Sequence, residues 1–142
     1  MTQRPSDSGS ACVELAVLTP MLLFILLLGV ALGRTVTASL ALDHAATAAT
    51  RAASLARTPS AASTAAMRTG TRVLAEQDLS CTGIEVDTDT SRFGTAGLPG
   101  AVTVILRCSV PLADLTGLPG LPASIALQAG FTSPVDAYRS RT

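Results

Sequence analysis

Residues 9–34, GSACVELAVLTPMLLFILLLGVALGR, determine the architecture of this chain. From Leu15 to Leu32 the sequence carries no charge, and at about 1.5 Å of rise per residue this run crosses most of the roughly 30 Å hydrocarbon core of a bilayer. Pro20 lies in the first turns, where we expect it to bend the helix without ending it. The run therefore predicts one membrane-spanning helix near the N-terminus.

A cleavable secretory signal is the alternative interpretation of this run, because small residues follow it at Thr37, Ala38 and Ala41. The run is longer than the roughly 7–15 apolar residues usual for such a signal, and the preceding residues are barely basic, with Arg4 opposed by Asp7. Retention in the membrane is therefore favoured. Release would leave a secreted enzyme or binding protein that starts after Ala38 or later.

The composition argues against catalysis and against nucleic-acid binding. Ten basic and ten acidic residues give no net charge, all basic residues are Arg, and they are scattered singly, so no basic stripe is available for phosphates. Aromatic residues make up only 3% of the chain, and His44, the single histidine, has no nucleophile or carboxylate cluster at catalytic spacing. We expect no enzyme activity, no cofactor and no metal site.

Glu14 is the charge that the membrane helix must accommodate, since it stands at the start of a run with no further charge until Arg34. Burying it without a partner would cost several kcal/mol, so it needs a partner or water. One interpretation is that Glu14 simply reaches the lipid headgroups. The other depends on Gly9, which precedes it by five positions.

Gly9, Ser10 and Glu14 together resemble the processing site of type IV pilin-like proteins, and residues 9–34 are similar to the start of TadE-like proteins, the minor pseudopilins of tight-adherence (Flp) pilus systems. The resemblance implies cleavage between Gly9 and Ser10 by a prepilin peptidase-like enzyme, after which the new amino group on Ser10 can pair with Glu14. It also implies partners, namely other pilins or pseudopilins and the pilus-assembly platform proteins. Ser10 and Cys12 differ from the aromatic or branched residues of major pilins, which disfavours that role.

The remainder of the chain resembles actinobacterial members of the same family. The resemblance lies at Cys81, at the strand that ends in residues 107–111, and at the closing residues 134–139.

An Ala-rich segment follows the membrane helix, and it predicts that the helix continues outward as a stalk over residues 35–57. A weak apolar stripe there suits a partner surface or the underside of a distal domain. Thr58-Pro59-Ser60 then predicts a break, with Ser60 as the cap of a second helix that runs to about Leu79. The stripe consists of Val36, Leu40, Ala41, Ala45, Ala48, Ala52 and Leu55.

Beyond Cys81 the apolar period changes to two, which predicts three strands separated by Gly- and Pro-rich loops at 94–100 and 117–122. We expect an antiparallel meander with a helix packed on its apolar face, hence an α+β fold, and the family resemblance implies that this fold is type IV pilin-like. Pairing Ile84 with Leu106 would place Cys108 opposite Thr82. The three predicted strands lie around Ile84 and Val86, over residues 102–108 and over residues 125–131.

Cys81 and Cys108 are placed as a structural disulfide would be in an oxidising compartment, with Cys81 just outside the ladder or at a bulge. Two buried thiols in a reducing compartment are the alternative. A bridge would put the C-terminal part outside the cytoplasm, because the charges alone do not orient the helix. The role of Cys12 stays open.

The expected organisation is that of a single-pass cell-membrane protein with a cytoplasmic N-terminus and an extracytoplasmic C-terminal domain. The resemblance implies a minor pseudopilin that acts as a structural or assembly component of a Flp pilus or related secretion apparatus. The alternative is a signal-anchored extracytoplasmic protein without a pilus function. The segments are a leader at 1–9, a transmembrane helix at 10–34, a stalk helix at 35–57 and a small head at 58–142.

Overall fold

The computed structural model describes residues 8–93, 99–117 and 122–135, with side chains from Cys12 onward. The predicted leader up to Asp7, most of both predicted loops and the closing residues 136–139 lie outside the described residues. The fold is α+β, as predicted, with three helices and three strands in the described part of the chain. In chain order they are α1 Ser8–Ser54, α2 Pro59–Glu76, β1 Ile84–Asp89, β2 Gly100–Pro111, α3 Leu112–Thr116 and β3 Ser124–Val135.

Helix α1 is 47 residues long and continues through Pro20, which corresponds to about 70 Å at 1.5 Å per residue. The predicted bend at Pro20 stays a prediction. Hydroxyl groups along the helix donate to carbonyl oxygens four residues earlier, as Thr19 does to Leu15 and Thr35 to Ala31. These bonds satisfy the polar side chains within the helix itself, so that Ser and Thr are tolerated along it.

The outer part of α1 is the central helix of the head. One face of the segment from Ala38 to Ala53 is buried against the sheet and α2. Helix is thus present over most of the predicted stalk, but its small side chains lie inside the head instead of in solvent. The residues of the predicted stripe differ in burial: Ala41 and Ala45 are buried in the head, whereas Val36, Leu40 and Leu55 are 60%, 62% and 61% exposed.

Helix α2 packs against α1 through small residues and starts at a different cap from the one predicted. Thr58, not Ser60, is the N-cap, since its side-chain oxygen accepts from the Ala61 backbone N–H at 3.2 Å.

Gly70 lies where α2 approaches both α1 and the sheet. A Cβ there would be 3.2 Å from Leu106 Cδ2, so a glycine at this point allows close packing.

The sheet is the predicted antiparallel meander, in the order β1-β2-β3. Alternate residues of the central strand β2 face α1 and α2 and are fully buried, while the residues between them face outward. This inner face forms the core of the head together with the alanines of α1. Its residues on β2 are Val102, Val104, Leu106, Cys108 and Val110.

The predicted register of β1 on β2 is wrong by two residues, because Ile84 pairs with Cys108 and Val86 pairs with Leu106. A shift of two leaves every side chain on the same face of the sheet, so alternation alone could not distinguish the two registers. The chain bends before β1, where Gly83 has a positive φ of 114°. This bend carries Cys81 across to Cys108.

Helix α3 was not predicted from the sequence; its five residues are followed by the C-cap Gly117, whose φ of 72° is left-handed. Leu115 of this helix is buried, and α3 contacts α1. It therefore closes the end of the head that lies nearest the apolar run of α1.

Candidate functional site

Gly9 and Ser10 lie in α1, at the start of its described residues Ser8–Ser54. Cleavage between them by a peptidase stays a proposal.

Glu14 is exposed on α1, four residues after Ser10. Positions four apart share one face of a helix and are separated by about 6 Å along its axis. No Arg among the described residues pairs with Glu14, since the two ion pairs found there are Arg72 with Glu76 and Arg107 with Glu85. The carboxylate is thus open to a partner outside the described chain.

Cys12 is an exposed, free cysteine on the same turns of the helix. No described residue contacts its thiol in a way that assigns it a role, and its function stays open.

The segment from Cys12 onward is the one candidate membrane span in the described residues. Its most apolar window has a mean hydropathy of 2.7 and none of it is buried within the protein. Glu14 and Arg34 bound the uncharged run and are 20 positions apart in sequence, which corresponds to about 30 Å of helix, the thickness of a hydrocarbon core. This agrees with a single-pass membrane protein.

One face of α1 has no partner among the described residues and continues beyond the apolar run. At 100° per residue, Gly29, Gly33, Val36 and Leu40 fall within about 60° of arc, and the face that the head buries lies opposite. A Cβ added at either glycine would meet nothing within 4 Å. This face was not predicted from the sequence, although the spacing Gly-x-x-x-Gly, which allows close approach of membrane helices, was a signal for it. We call Leu22, Leu26, Gly29, Gly33, Val36 and Leu40 the open face of α1.

Cys81 and Cys108 form a disulfide, with their Cα atoms 5.4 Å apart. Thr82 supports the bridge, because both its backbone N–H and its hydroxyl donate to the Ser109 carbonyl oxygen, at 2.8 and 3.0 Å. Cys108 is 1% exposed. The bridge therefore ties the entry of β1 to the buried face of the central strand.

The outer edge of the sheet at β1 is acidic, with exposed carboxylates at Glu85, Asp87 and Asp89. The pKa of Asp89 is lowered, chiefly by hydrogen bonds from the Ser91 hydroxyl and from its backbone N–H, and further by the positive charge of Arg92. Acidic side chains on an edge strand protect it from unwanted pairing.

The described residues contain no metal-binding cluster, since no group of three or more His, Cys, Asp or Glu could hold an ion there. His44 is exposed, as interpreted from the sequence, and its Nδ1 lies 2.9 Å from Gln77 Nε2. This contact links α1 to the end of α2. It is an ordinary surface hydrogen bond.

Residues 9–51 match the family described as TadE-like protein. No curated protein and no solved structure matches the chain. The matched residues include the predicted processing sequence, Glu14, the apolar run and most of the helix segment that the head surrounds. Residues 9–51 are therefore similar to TadE-like proteins, as the resemblance of the opening residues predicted.

Proposed function

We propose that this protein is a TadE-like minor pseudopilin, a structural or assembly component of a Flp pilus or related secretion apparatus. A prepilin peptidase-like enzyme cuts between Gly9 and Ser10 on the cytoplasmic side, and α1 stays in the membrane with the head outside. The family match supports a Tad pilus-related component. The observation that carries the finer role is Glu14, an exposed carboxylate on the membrane helix, one turn from Ser10.

Cleavage would create a positive amino group on Ser10, on the same face of the helix as Glu14. Two opposite charges at this level lower each other's penalty for lying near lipid. Within one helix they neutralise each other, and between neighbouring subunits the carboxylate of one chain meets the amine of the next. The second arrangement fixes the axial register of subunits in an assembly.

The open face of α1 supplies the packing surface that such an assembly needs. In lipid, helices associate through close van der Waals contact, which small residues such as Gly29 and Gly33 permit. Val36 and Leu40 continue the face past Arg34, and because the head lies on the opposite side of the helix it does not obstruct an approaching helix. Other pilins or pseudopilins and the platform proteins are the proposed partners.

Replacing Glu14 tests the proposal. Glu14→Gln removes the charge but keeps the size, and Glu76→Gln is the matched control, since Glu76 is an exposed carboxylate on the head. Epitope-tagged chains are expressed in cells that carry the pilus system, and the membrane fraction is analysed for co-isolated pilus-assembly subunits. We expect Glu14→Gln to reach the membrane at the normal level but to lose the co-isolated subunits, while Glu76→Gln keeps them.

Normal co-isolation by Glu14→Gln would contradict the proposal and favour a signal-anchored protein without a pilus function. Gly33→Leu adds a separate measurement, because the space around Gly33 within the protein is empty and the fold should tolerate the larger side chain. It is expected to weaken co-isolation through the open face. Ala16→Leu, a similar change on another side of the helix, is its control and is expected to have no effect.

A further inference from the structure

We propose that the cleft beside Arg34 binds the headgroup of a phospholipid that carries both a phosphate and a primary ammonium group. The cleft lies between α1, the chain that follows α2, and α3. This inference needs only that α1 spans the membrane and does not depend on a role in pilus assembly.

Arg34 lies at the level of the lipid headgroups. The uncharged run ends at this residue, about 30 Å along the helix from Glu14. Thus the first charged side chain beyond the hydrocarbon core is an Arg at the depth where lipid phosphates lie. Arg side chains bind phosphate well, because the planar guanidinium presents several N–H donors in a fixed geometry.

The guanidinium of Arg34 is oriented by the head. Its Nη1 donates to the Asp114 main-chain oxygen at 2.8 Å, which uses one of its five N–H donors. No carboxylate among the described residues forms an ion pair with it. Arg34 therefore keeps its charge and most of its donors for a ligand, while its position beside α3 is fixed.

The cleft itself has a volume of about 270 Å³, near the lower end of the range for ligand sites. Asp78 and Asp114 also line it, and neither is in an ion pair with any described residue. Thr37, Gln77 and Ser80 add neutral polar groups to the lining. The polar wall consequently combines one cation with two carboxylates.

This charge pattern selects among lipid headgroups. A phosphate next to Arg34 leaves the two carboxylates without a counter-charge, and a purely anionic headgroup would be repelled by them. A primary ammonium in the same headgroup can donate hydrogen bonds to a carboxylate, whereas a quaternary ammonium cannot. An ethanolamine-type headgroup fits both parts of the cleft. A bound lipid would then join the head to the membrane surface, directly beneath α3.

The test uses the full-length protein, purified in detergent and examined by native mass spectrometry with added lipids. Phosphatidylethanolamine, phosphatidylglycerol and phosphatidylcholine of identical acyl chains are compared. We expect retention of the ethanolamine lipid to exceed that of the other two by about tenfold at equal concentration. Arg34→Gln should abolish this excess, and Arg51→Gln, which alters an exposed Arg of the same helix outside the cleft, should preserve it.

Two further experiments test the role of the carboxylates and distinguish a lipid headgroup from free phosphate. Replacing both Asp78 and Asp114 with Asn should remove the preference for the ethanolamine lipid over phosphatidylcholine, and circular dichroism checks that each variant keeps the fold. Equal retention of all three lipids, or unchanged retention by Arg34→Gln, would overturn the proposal. Displacement of the lipid by millimolar inorganic phosphate would also overturn it, because the site would then be one for free phosphate.

Discussion

Removing the disulfide between Cys81 and Cys108 should cost the head a large part of its stability. The two cysteines are 27 residues apart in sequence, and the chain-entropy relation for a loop of this length gives about 3.5 kcal/mol at 25 °C. Small domains have unfolding free energies of only about 5–15 kcal/mol. For a head of this size the loss corresponds to a fall in melting temperature of roughly 15–25 °C.

The measurement is pulse proteolysis in urea on the detergent-solubilised protein, in a Cys12→Ala background that prevents mispairing. Oxidised protein is compared with protein that has been reduced and refolded, which keeps both sulfur atoms and so isolates the cross-link from packing. The double variant Cys81→Ala and Cys108→Ala should lose a further ~1 kcal/mol, because the Cys108 sulfur lies in the core. The Cys12→Ala change alone should have no effect.

Equal unfolding free energies for the oxidised and reduced forms would refute this reasoning. Such a result would mean that the bridge does not restrict the unfolded chain, or that the reduced form recovers the loss elsewhere. A peptide map without reductant that lacks the Cys81–Cys108 pair would contradict the structure directly.

Three further predictions concern packing in the head, each measured as the free energy of unfolding in urea. Thr50→Val removes a fully buried hydroxyl that has two carbonyl acceptors, Ala46 at 2.7 Å and Phe131 at 3.3 Å, so a loss of about 1 kcal/mol is expected, and unchanged stability would show that these contacts contribute nothing. Gly70→Leu forces a side chain into Leu106 and should cost about 1–3 kcal/mol; a neutral or stabilising result would contradict the close packing of α2. Thr58→Ala should cost about 1 kcal/mol and Thr58→Ser almost nothing, whereas equal effects would argue against the cap.

The sequence predicted those features that local composition controls. An uncharged apolar run leaves few alternatives to a membrane helix, and the change of period after Cys81 is enough to indicate strands. The side-chain faces of β2 were likewise predictable from alternation. The register was not, because a shift of two residues preserves the faces, and the deciding feature is the bend at Gly83.

Other features depend on contacts between distant parts of the chain. Val36 and Leu40 are larger than the alanines of the predicted stripe, yet the head packs on the alanine side of α1, where small side chains allow the sheet and α2 to approach closely. The contact of Arg34 with Asp114 spans 80 residues of sequence and involves a five-residue helix too short to show a period. No local pattern could have predicted it.

The residue at the start of the mature chain tests the central claim most directly. It can be read by mass spectrometry of the protein from membrane fractions of cells with and without the peptidase of the pilus system. The pseudopilin account predicts a chain that starts at Ser10 only when the peptidase is present. A chain that keeps Met1 in both cell types would contradict it in favour of a plain membrane anchor, and a start beyond Ala38 would contradict it in favour of a secreted protein.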